Sequence, residues 1–183
     1  HGASNPIAIF GEILTDSSLA WSGGSNGANA SDNFTFDDPS AYHSVLENIT
    51  STTNLPRVTI TDKDSAAHTF KFYAAGSLSS PSESNTSFIS IGTSTSDQDL
   101  AELFRASASS AISSNSLDLS VSRSNEVVTI STTPVGAHTG ATIATATGSA
   151  SGDIGVTGTI VSESGPGFST GVEPADSSFT EST

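Results

Sequence analysis

Residues 58–133 decide the fold, through VTITDKDSAAHTFKFYAAGS (58–77), FISI (88–91), SDQDLAELFRASASSAIS (96–113) and LDLSVSRSNEVVTISTT (117–133). Val58 and Ile60 alternate with Thr59 and Thr61, the period of a half-buried strand. Asp62 to Ser65 reads as a turn, and His68 to Tyr73 resumes the alternation with Phe70 and Phe72 on one face, predicting a β-hairpin. Phe88 to Ile91 predicts a third short strand. The spacing then predicts a helix over Thr95–Ser113, capped by Thr95 with Gln98 or by Ser96 with Asp99. Asp97, Asp99 and Glu102 place negative charge at its positive end, and Leu100, Phe104, Ala108, Ala111 and Ile112 keep one face apolar. Leu117 to Val121 and Val127 to Ile130, joined around Arg123-Ser124-Asn125, predict a second hairpin.

These elements define a β-rich α+β domain over 57–164, in which the helix packs across a sheet formed by the two hairpins. Leu100, Phe104 and Ile112 are expected to face Phe70, Phe72, Val121 and Val128. Residues 1–56 read as an N-terminal arm and loop with a short helix, and 165–183 as an irregular tail. Within the arm, Pro6 to Leu14 (PIAIFGEIL) is apolar and long enough for one strand, with a bend at Gly11, while Ser22 to Asn33 reads as an exposed loop. Asp38-Pro39 starts a helix running to about Asn48, with Tyr42, Val45, Leu46 and Ile49 on its core face. From Pro134 to Gly171 the chain is Gly-, Ala- and Thr-rich, with short strands and glycine turns expected.

The chain has 183 residues, 5 basic against 19 acidic, for a formal net charge of −14. Such a balance repels polyphosphate and argues against nucleic-acid binding, which needs a basic footprint. It argues equally against adhesion to an anionic membrane, and no apolar run approaches the roughly 18 residues needed to span one. There is no cysteine, which removes disulfides, thiolate metal sites and thiol nucleophiles. Ser and Thr fill about a third of the positions, so the surface is rich in hydroxyls rather than ions. His1 in first position implies that an initiator methionine is missing, by processing, by trimming or by choice of the expressed segment, and no basic-then-apolar layout of a signal peptide is expected there.

Candidate chemistry is sparse. An N-terminal histidine can bind copper through its amine and ring, so His1 with His43, His68 or His138 is weighed as the histidine brace of a lytic polysaccharide monooxygenase. The histidines fall on unrelated predicted elements, and the reading stays a remote one. Asp62 with Asp64, or Asp37 with Asp38, could offer carboxylates to Ca²⁺, but neither has the alternating spacing of a dedicated loop, and solvated turns are expected. G-x-S-x-G occurs at residues 23–27 and 167–171, but one falls in the expected loop and the other in the expected tail, so neither forms the strand-to-helix elbow that would present a serine to a histidine. The glycines of 148–158 lack the lysine and helix of a phosphate loop. Asn29, Asn33, Asn48 and Asn85 begin N-x-[ST] sequons, a frequency that chance supplies when hydroxyl residues are this abundant. Trp21 beside a Gly/Ser loop reads as closing over a core rather than stacking on a partner. No catalytic, cofactor-binding or metal residue is assigned, and no cofactor is expected.

At VTITD, AHTFKFYAAGS, DLAELFRASASSAI and LDLSVSRSNEVVTISTTPVGAHTGATIAT, the chain resembles a module of tailed-bacteriophage virion proteins. The resemblance covers Val58 to Thr147. It departs from the family pattern at Ala111-Ile112-Ser113, where Ala-Ile-Asn is usual, and at His138-Thr139-Gly140, where Gly-Asn is usual. The resemblance implies a non-enzymatic virion structural protein present in many copies, on the capsid surface as a decoration, minor capsid or fibre component, or in the tail. Its partners would be copies of itself and other virion structural proteins. An alternative of another class is a prokaryotic extracellular filament or adhesin subunit, with Pro6 to Leu14 donated to the next subunit's sheet.

Overall fold

The computed structural model describes residues 19–22, 28–136, 138, 140–146, 161–163, 168–169, 171 and 178–181. The strands are β1 (Leu19–Ser22), β2 (Ser31–Phe36), β3 (Arg57–Thr61), β4 (Ala67–Ala74), β5 (Thr86–Ile91), β6 (Leu119–Ser124), β7 (Val127–Thr132), β8 (Thr142–Ala146), β9 (Val161–Glu163) and β10 (Ser178–Glu181), with helices α1 (Ser40–Leu46) and α2 (Asp97–Asn115). The chain is a β-rich α+β protein. One sheet runs β6-β7-β2-β9, a second runs β5-β4-β3-β8, and β1 pairs with β10.

The two expected hairpins form, but in different sheets: β3 and β4 pair in one, β6 and β7 in the other. Sequence periodicity reports which face of a strand is apolar, not which strands share a ladder. What binds the sheets is aromatic. Phe34 and Phe36 on β2 face Phe70 and Phe72 on β4, with Phe36 and Phe72 centroids 5.6 Å apart. Helix α2 packs against β6, β2 and β7 on one side and β5 and β4 on the other, carrying Phe104 to within 4.7 Å of Phe70 and 5.2 Å of Phe34. All of these rings are buried.

Strand β2 corrects the reading of residues 22–33 as loop. Asp32, Phe34 and Phe36 turn inward while Ser31, Asn33 and Thr35 turn outward or sit half-buried, an alternation hidden by the Gly/Asn/Ser-rich run ahead of it. The strand therefore ties the N-terminal arm into the central core, between β7 and β9. The segment after Gly165 is also structured where it is described. Ser169 donates its backbone N–H to Ser31 O at 2.8 Å and accepts from Ser31 N–H through its hydroxyl at 3.0 Å, Phe168 packs on the core, and Ser178–Glu181 is strand. Pro6 to Leu14 and His1 lie outside the described residues.

Helix α2 begins with the Ser96/Asp99 capping box, each side chain bonded to the other's backbone N–H. It ends two residues beyond the expected stop, at Asn115, where Ser116 takes the left-handed conformation and the Leu117 N–H reaches back to Ile112 O at 3.0 Å. Strand β5 lies parallel to β4, so the connecting residues 75–85 must cross the sheet. Lys71 points outward from β4 yet is buried, its ammonium 2.6 Å from Glu83 of that crossing segment. The lysine and Thr52 hold the Glu83 carboxyl below the usual carboxylate range.

Truncating Phe104 to Ala is expected to remove roughly 3–5 kcal/mol of stability, measured by urea denaturation, since the ring leaves a cavity that both sheets line. Gly171 packs so tightly on backbone atoms of Gly136, Ala28 and Ala30 that a Cβ there would overlap them. Gly171→Ala is therefore expected to cost about 1–3 kcal/mol and to quicken proteolysis near residue 171.

Candidate functional site

The densest polar constellation gathers where the β3–β4 turn meets the chain leaving α2. Asp62, buried at 3 % exposure, accepts through Oδ1 from the backbone N–H groups of Asp64 and Ala66, both at 2.9 Å. Its Oδ2 accepts from the Asp118 N–H at 3.2 Å. The main chain closes the turn with Asp62 N–H to Ala66 O at 2.9 Å, and Ser65 adopts the left-handed conformation. Asp118 in turn accepts through its carbonyl from Thr133 N–H at 2.9 Å. One carboxylate thus fastens a hairpin of the second sheet to the linker entering the first.

Outside this bond set, Lys63 stands 2.5 Å from Asp64 and 2.8 Å from Asp118, and the two acids, Asp118 first, raise its ammonium above the usual lysine range. The expectation of a solvated turn is corrected for Asp62: its carboxylate is buried and both oxygens accept from backbone donors. Asp37 and Asp38 precede α1, where Asp38 accepts from Ser40 N–H at 2.9 Å, an N-terminal capping role. The Ser40 hydroxyl, followed by that backbone bond, holds the Asp38 carboxyl below its ordinary range.

The second constellation joins β4, β5 and the end of α2. His68, 6 % exposed, places Nε2 2.9 Å from the Ser87 hydroxyl and Nδ1 3.4 Å from Asn115 Nδ2, with the Phe70 ring 5.0 Å away. Serine, histidine and asparagine in contact raise the question of nucleophilic catalysis. The hydrogen-bond partners of the ring indicate its tautomer. Asn115 Nδ2 also donates to Ala111 O at 2.8 Å, an atom that only accepts, so the asparagine presents N–H to the ring. Nδ1 is therefore the acceptor, and the neutral imidazole carries its proton on Nε2 and donates it to Ser87. A general base needs its lone pair facing the serine hydroxyl; here that lone pair faces the opposite way.

The remaining histidines stand apart. His43 is buried on α1, 3.5 Å from Glu47, and His138 contacts Pro134 O at 2.7 Å through Nε2. No group of three or more His, Cys, Asp or Glu side chains suited to a metal occurs among the described residues. Four of the five basic residues are ion-paired. Glu102 is bonded by Arg105 through two nitrogens, and by Arg123 Nε at 2.6 Å, and these guanidinium bonds bring its carboxyl down to about 2. Of the sequons, Asn33, Asn48 and Asn85 are exposed, whereas the Asn29 side-chain oxygen is buried. Trp21 pairs in register with Phe179 between β1 and β10.

Sequence reading located Asp62 and His68 but not their partners. A strand-ending Asp followed by Lys-Asp-Ser is the signal of a turn in which a carboxylate caps backbone N–H groups; nothing in the local sequence announces Asp118, Ser87 or Asn115. No helix among the described residues is long and apolar enough to cross a membrane. No family model, curated protein or solved structure matches the chain.

Asp62→Asn is expected to cost about 1–3 kcal/mol, because an amide nitrogen would face one of the backbone donors that the carboxylate now satisfies. Millimolar Ca²⁺ is expected to leave the thermal midpoint of the unaltered protein unchanged; a clear rise would show the Asp62 turn to be a cation site.

Proposed function

We propose that this chain is a non-enzymatic structural subunit of a phage particle, assembling in many copies on the capsid surface as a decoration, minor capsid or fibre protein, or in the tail. The observation that carries the reading is where the chemically capable groups point. The Asp62 carboxylate, the His68 imidazole and four cations are all engaged within the fold. The sequence resemblance over Val58–Thr147 supplies the class of assembly.

The outer edges suit a protein that meets neighbours. Strand β6 ends its sheet with Arg123 on the face toward α2, held by Glu102, and such a charge blunts strand addition. Strand β8, with sequence TIATA, ends the other sheet with neither charge nor proline, and among the described residues no strand pairs with its far side. A net charge of −14 keeps unassembled copies apart and turns DNA away. The same edge favours a second reading, an extracellular filament subunit receiving Pro6 to Leu14 of a neighbour as an added strand.

Particles banded on a density gradient from the producing culture are expected to contain the chain at many copies each by mass spectrometry, with matching density on the shell or tail by electron microscopy. Polymers free of capsids would favour the filament reading. Recovery of the chain solely as a free monomer would overturn both.

A further inference from the structure

We propose that His68 and Asn115 form an acid-released latch that holds the C-terminal turn of α2 against β4 and β5. The geometry contains the switch. The ring nitrogen facing the helix accepts from Asn115 Nδ2 at 3.4 Å, and that amide is oriented by its 2.8 Å bond to Ala111 O one turn back. A proton added to Nδ1 turns the acceptor into a donor, so N–H faces N–H. Flipping the asparagine amide would satisfy the ring but set its oxygen against the Ala111 carbonyl. Either way one of the two bonds is lost, and Asn115 is the last residue of the helix.

Among the described residues no carboxylate pairs with the ring. Strand β4 presents Phe70 beside it, β5 presents the Ser87 hydroxyl, α2 presents Asn115, and β3 presents Ile60, which is opposite His68 in register. Asp62, one residue past the end of β3, has its oxygens bonded to three backbone N–H groups, and Asp118 and Lys63 beside it are paired with each other. At the end of α2, Ile112 O already receives the N–H groups of Ser116 and Leu117. Burial accordingly pushes the imidazole below its ordinary range.

The sign follows from linkage. With the folded-state pKa below the unfolded value of about 6.5, the unfolded or opened chain binds the proton more readily. The latch is fully closed above that value and weakens as pH falls through it towards the folded-state pKa, below which the loss is complete. One proton limits the change to about tenfold per pH unit.

Hydrogen exchange on the full chain, corrected for intrinsic rates, tests this between pH 7.5 and 5. Protection of the 113–117 amides is expected to fall by up to about tenfold per unit below pH 6.5, and ¹⁵N chemical shifts are expected to show the neutral ring as the Nε2–H tautomer. His68→Phe is expected to remove the pH dependence, and His43→Gln to keep it. Asn115→Asp is expected to reverse its direction, because a carboxylate would pair with the protonated ring. An Nδ1–H tautomer, pH-independent protection in the unaltered chain, or pH dependence that survives in His68→Phe would each overturn the latch. Should His68→Phe fail to fold, His68→Gln and the tautomer measurement decide.

Discussion

Five phenylalanine rings carry the architecture. Phe34 and Phe36 come from one sheet, Phe70 and Phe72 from the other, and Phe104 from the helix wedged beside them. Edge-on and tilted contacts predominate, the arrangement that sets the positive rim of one ring against the negative face of another. With hydrophobic residues at 34% of the chain, below the ordinary share, large rings concentrate the available burial in one place. Each strand that supplies a pair of rings can then afford hydroxyl residues on its other face.

Polar groups near this core serve to align what the rings hold. Asp62 draws the β3–β4 turn onto the linker after α2, and through Asp118 reaches Thr133 at the end of β7, so the two sheets are stitched at one end by backbone bonds. Such a carboxylate restricts the sheets to one relative position more than it adds net stability, because its desolvation offsets part of what its bonds contribute. The surface fork of Glu102 with Arg105 and Arg123 joins α2 to β6 in the same manner, with smaller effect because water screens it.

A strongly acidic chain whose cations are nearly all engaged internally has little attraction left for polyanions, and its copies repel at long range. Contact between copies would meet the least repulsion where charge is sparse, and the TIATA edge of β8 is such a place. That physical arrangement agrees with the phage-particle reading and with the filament alternative.

Elements with a strong local period were legible from residues alone: α2 and its Ser96/Asp99 cap, the α1 stripe, and both hairpins. So were the inward Phe70, Phe72 and Phe104. Strand β2 was not, since Phe34 and Phe36 follow a run of glycine, asparagine and serine, and three inward residues on six positions make a faint signal. Nor was the division of the hairpins between two sheets, which depends on β2 inserting beside β7 and on β5 joining β4 in parallel across a crossing loop. The candidate groups divide the same way. Asp62 and His68 stood out in sequence, while Ser87, Asn115 and Asp118 became their partners only through contacts between distant segments. Local sequence determined periodicity, capping and charge, because those depend on neighbours within a turn or two; the pairing of sheets and the direction of each buried lone pair were decided by tertiary structure, because they depend on groups that only folding brings within bonding distance.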